Sequence, residues 1–152
     1  MLVRGSRRLA QALALMFRLP AIVICFVVSL GVIASEATLR WRGHEFREIT
    51  SLSVLPASIR QELGTNISGL GGVADKGKPF NVTDVVDNTN PMRRLLAAGQ
   101  SGGTWLVALE QGGRAYNIQV YLFSGGVQRQ HWVLVGHPSG LQAVIQQLPP
   151  EG

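Results

Sequence analysis

Three histidines, His44, His131 and His137, are the side chains that ordinarily titrate near neutral pH, so acid–base chemistry would have to start from them. No two share a helix-face metal spacing, and there is no HExxH motif. His131 and His137 stand six apart with a strand end expected between them, and no third ligand is indicated. No metal or cofactor is therefore expected. Asp84 and Asp87 are three apart behind a Gly/Asn-rich loop. With His131 or His137 they could form the acid–base pair of a small hydrolase. The commoner role of such aspartates is to cap turns. Cys25, the single cysteine, lies in an apolar N-terminal run, and no serine sits in a GxSxG elbow. The glycines of SGLGG at 68–72 lack the lysine and hydroxyl residue of a phosphate loop. The expected protein is not an enzyme.

A second constellation suits recognition. Tyr116 to Phe123 alternates, with Tyr116, Ile118, Val120 and Leu122 on one side and Asn117, Gln119, Tyr121 and Phe123 on the other. On the following stretch Arg129 and His131 share a side, opposite Gln128, Gln130 and Trp132. Asn117, Gln119, Tyr121, Arg129 and His131 are the candidate binding residues, because Tyr and Arg anchor interfaces and amides add directional bonds. The plainer reading is a solvated face of an antiparallel sheet.

The elements that would position these residues can be read in order. Ser35 to Arg42 reads as a linker or first strand, and His44 to Leu52 as a short or edge strand. Ser53 to Gly64 predicts a helix with Leu55, Ile59 and Leu63 on one stripe and Gly64 at its end. Residues 65–90 are irregular, with a short strand expected around Phe80, Val82, Val85 and Val86. Two glycosylation-type sequons, at Asn66 and Asn81, fall in this loop and carry no weight alone. Met92 to Gly99 fits a helix or a strand, the strand being preferred because a hairpin-length link follows. Thr104–Glu110, Tyr116–Phe123 and Val127–Val135 are strands joined by Gly-rich turns. Pro138 to Leu148 predicts a closing helix with Leu141, Val144, Ile145 and Leu148 on one stripe. The expected fold class is α+β: an antiparallel three- to four-stranded meander packed on one face by two helices, after an N-terminal hydrophobic export or anchor helix.

Residues 19–34 supply that last element. They hold no charge, and Arg4, Arg7, Arg8 and Arg18 precede them without an acidic residue. This is the pattern of a signal peptide or a membrane anchor at 1–34, followed by a linker at 35–43 and one domain at 44–152. A helix of this run is about 24 Å long, short of a bilayer core of about 30 Å. Cleavage after Ala34 or Ala37 is compatible with the small residues there. From Ser35 onward ten Lys/Arg face nine Asp/Glu, so the basic balance belongs to the leader and nucleic-acid binding is not expected. The exported part has no cysteine, and its stability must come from an apolar core. The expected function is a small binding domain in the periplasm, or at the inner membrane facing the periplasm. It would recognise an envelope protein or ligand as an inhibitor, immunity factor or assembly accessory. The hydrolase with Asp84 or Asp87, and an anchored structural protein held in the membrane through 19–34, are the alternatives.

Overall fold

The stretch Thr104–Gln111 (β5) carries an unbroken apolar run, Trp105 to Leu109, and is buried at every position but its last, so it cannot be solvated on either side. It occupies the middle of the sheet. The computed structural model describes residues 39–150; the expected export or anchor helix lies outside them. Seven strands form one sheet: Leu39–Trp41 (β1), His44–Ile49 (β2), Val73–Ala74 (β3), Arg93–Ser101 (β4), β5, Asn117–Ser124 (β6) and Val127–Leu134 (β7). The path runs β1-β2-β4-β5-β6-β7, antiparallel throughout, with β3 lying parallel beside the start of β4. Among the described residues helix is confined to Ala57–Leu63 (α1) and Leu141–Ile145 (α2), plus single 3-10 turns at Leu52–Val54 and Gly69–Gly71. Among the described residues no helix is long and apolar enough to cross a membrane.

The expected α+β class is thus overturned: the domain is mostly β. Residues 39–41 contribute a strand, and the segment at 92–99 is the long strand β4. The strand expected at 80–86 does not form; Val73 and Ala74 pair instead, with Arg93 and Arg94. The closing helix spans only Leu141–Ile145.

The two helices also lie on opposite faces. Side chains alternate along a strand, so Trp105, Val107 and Leu109 of β5 point one way and Leu106 and Ala108 the other. The first set packs with Leu95, Ala98 and Phe123 under Leu52, Leu55, Ile59 and Leu63, from the 3-10 turn through α1. Gly64 ends α1 in the left-handed conformation, φ 75°. The second set packs with Ala97, Ile118, Val120 and Phe46 under Leu141, Val144 and Leu148. A central strand buried on both faces needs a cover on each, and one helix goes to each side.

The sheet curls around the second core until its two ends meet through side chains. Trp41 of β1 lies edge-on to Trp132 of β7, centroids 5.7 Å apart. Arg42 places its guanidinium 4.5 Å from the Trp41 ring and donates from Nη1 to Oε1 of Gln130 at 2.8 Å. Arg42 is also the one non-glycine residue with positive φ, 49°, among the described residues.

Candidate functional site

On the first face α1 covers β4, β5 and the end of β6, and the rest of β6 and β7 stays open. Four of the five candidate residues meet there. Cross-strand register sets Tyr121 opposite His131 and Gln119 opposite Val133. The Tyr121 and His131 rings stack with centroids 4.7 Å apart and planes 23° from parallel. Phe123, two residues along β6, lies 6.3 Å beyond Tyr121 and joins the buried core.

A chain of side-chain hydrogen bonds runs beside the rings. Asn117 donates from Nδ2 to the Ala115 carbonyl at 2.7 Å. Gln119 donates from Nε2 to Oδ1 of Asn117. Oε1 of Gln119 faces Nε2 of His131 at 2.5 Å. All three side chains are exposed or half-buried, so the network lies at the surface.

Arg93 belongs to the same face and was not among the expected site residues. It donates from Nη2 to the Gly71 carbonyl at 2.6 Å and lies beside the Tyr121 phenol. Burial pushes the Tyr121 hydroxyl up from its ordinary pKa, and Arg93 pulls it the other way. Arg93 escapes sequence parity because β4 carries a register shift between Leu95 and Ala97. Counting alternate residues across that shift assigns the start of β4 to the wrong face.

Arg129 does not join the group. A second register shift pairs Phe123 with Gln128 and Leu122 with Gln130, so Arg129 falls in the bulge between them. It is exposed and makes no hydrogen bond or ion pair among the described residues.

The expected acid–base residues scatter. Asp87 builds a turn: Oδ1 accepts from the Thr89 amide and hydroxyl at 2.8 and 2.7 Å, and Oδ2 from Asn90 at 2.9 Å. The hydrogen bonds from Thr89 hold its carboxyl below the ordinary range. His131 is engaged on the sheet face, and His44 lies against Phe46, 5.8 Å between centroids. Asp84 and His137 do line one open cleft, with Thr83, Arg114 and Tyr116, of about 430 Å³. Asp84 faces Arg114 at 3.9 Å, an exposed pair. His137 stacks on Tyr116 at 4.6 Å.

Behind that cleft sits the buried charge that sequence reading missed. Glu110 accepts from Nε of Arg94 at 2.5 Å and from the Tyr116 hydroxyl at 2.8 Å. Burial, and then the hydrogen bond to Glu110, push the Tyr116 hydroxyl up to about 12. Arg94 also lies over the Phe80 ring at 4.2 Å. Both oxygens of Glu110 are thus engaged within the fold. Among the described residues no three His, Cys, Asp or Glu side chains are grouped to hold a metal ion.

Comparison with family models, curated proteins and solved structures finds no match to this chain.

Proposed function

We propose that this chain is a small, non-enzymatic binding domain acting on the periplasmic side of the inner membrane. It recognises an envelope protein or ligand through the open part of its first sheet face. The observation that carries this reading is the surface arrangement of Tyr121, His131, Gln119 and Asn117. Their polar groups are already oriented by one another on a rigid sheet, so binding orders little new structure. The uncharged run at 19–34, with its arginines in front, supports the address. The nearly balanced charge after Ser35 favours neutral recognition over binding to a polyanion.

Affinity capture from envelope extract tests it. The domain is expected to retain a partner that the triple variant Tyr121→Ala, Arg129→Ala, His131→Ala releases. Equal retention by the folded triple variant overturns the reading. Arg129→Ala alone is expected to weaken capture least, because Arg129 stands apart at the bulge.

The hydrolase reading narrows to Asp84 with His137, which line one cleft. It requires turnover of an ester or amide substrate that both Asp84→Asn and His137→Ala abolish.

A further inference from the structure

We infer that Asn117 and Gln119 are positioning residues that fix the tautomer of His131 and so decide which ligand group this face accepts. The oxygen of Ala115 can only accept, so Asn117 must present its Nδ2 there and its Oδ1 to the other side. Gln119 must then donate to Oδ1 through Nε2, which turns Oε1 toward β7. An amide oxygen can only accept, so His131 must donate from Nε2 at 2.5 Å. One carbonyl thus sets the polarity of three side chains, which isolated amide and imidazole groups leave free to flip.

In neutral His131 the remaining nitrogen, Nδ1, is then a bare acceptor. Nδ1 has no partner among the described residues, and the residue is exposed. Two cations border this group: Arg93 of β4 is engaged with Gly71 and lies beside Tyr121, and Arg129 of β7 stands apart in the bulge. The face therefore offers an acceptor, and the fitting ligand group is a neutral N–H or O–H donor. A carboxylate or phosphate would meet a lone pair. This last step rests on the sheet face being a binding surface; the tautomer does not.

Long-range nitrogen–proton NMR of the folded domain at alkaline pH reads the tautomer without any ligand. The expected spectrum shows a protonated Nε2 and a bare Nδ1. Gln119→Lys puts a donor-only group opposite Nε2 and is expected to invert the two nitrogen shifts. Asn117→Asp, which still only accepts from Gln119, is expected to leave them in place. A protonated Nδ1 in the parent domain, or no inversion in Gln119→Lys, overturns the positioning role. Titration with sodium acetate or inorganic phosphate is expected to leave the His131 resonances unmoved; a saturating shift overturns the ligand class. Loss of the partner-binding reading, with the tautomer standing, shows as the expected spectrum together with equal capture by the triple variant.

Discussion

The Tyr121 and His131 rings stack directly across the β6–β7 ladder, 4.7 Å between centroids. An exposed cross-strand pair of this kind contributes about 0.2–1 kcal/mol to a sheet. His131→Ala is therefore expected to destabilise the fold by at most about 1 kcal/mol in urea unfolding. It is expected to remove the partner completely. A large loss of stability would make His131 a folding residue and not a recognition residue.

Arg42 holds the two ends of the sheet together from a backbone conformation that side chains disfavour. Two effects oppose each other there. Glycine relieves the positive φ at Arg42 by about 1 kcal/mol, and losing the guanidinium removes a cation–π contact of about 0.5–2 kcal/mol. Arg42→Ala loses the contact and keeps the strain. It is expected to be the less stable variant, by about 1 kcal/mol relative to Arg42→Gly, in denaturant titration.

Tyr116 links alkaline stability to the buried Glu110. Its hydroxyl is raised from 10.0 to about 12 in the fold. The unfolded chain releases this proton first as pH rises, so the contribution is whole below about pH 10 and is lost as pH climbs toward 12. Melting temperature is expected to fall over that interval. In Tyr116→Phe the fall is expected to be shallower, with lower stability at neutral pH because Glu110 loses a donor. Thermal scans of both proteins from neutral to alkaline pH check this.

The loop before β4 is held by side chains. Asn81, 5% exposed, donates twice, to the carbonyls of Asp87 and Asn90, and accepts from the Asp87 amide, all at 2.8 Å. Asn81→Ala is expected to cost about 2 kcal/mol and to speed hydrogen exchange at the Asp87 amide. Gly112 lies against the same residue: an added Cβ would come within 1.7 Å of the Asn81 carbonyl oxygen. Gly112→Ala is expected to open the loop at least as far. A sequon read at Asn81 has no free amide to offer while this loop is intact.

Local pattern and distant contact account for what the sequence revealed and what it hid. The alternation of Tyr116 to Phe123 placed Asn117, Gln119 and Tyr121 on one face, because period-two side chains follow from strand geometry alone. The apolar run TWLVALE already implied burial on both faces, which one layer of helices cannot supply; that is where the α+β expectation failed. Val82, Val85 and Val86 suggested a strand by type. They are exposed, because the loop is organised by the amide of Asn81 and the carboxylate of Asp87 instead. The meeting of Trp41 with Trp132 joins residues ninety-one positions apart, beyond any local periodicity. The register shifts in β4 and β7 hid Arg93 from the site and set Arg129 apart from it.

Site-specific photocrosslinking tests the central claim most directly. Val133 lies opposite Gln119 on the open face, 54% exposed, and Gln142 lies exposed on α2 over the other face. Benzoylphenylalanine is placed at one position or the other in the full chain, and the chain is irradiated in envelope extract. The expected result is a discrete adduct from position 133 and none from position 142. Equal labelling from both positions, or an adduct from 142 alone, would contradict recognition through the Tyr121–His131 face.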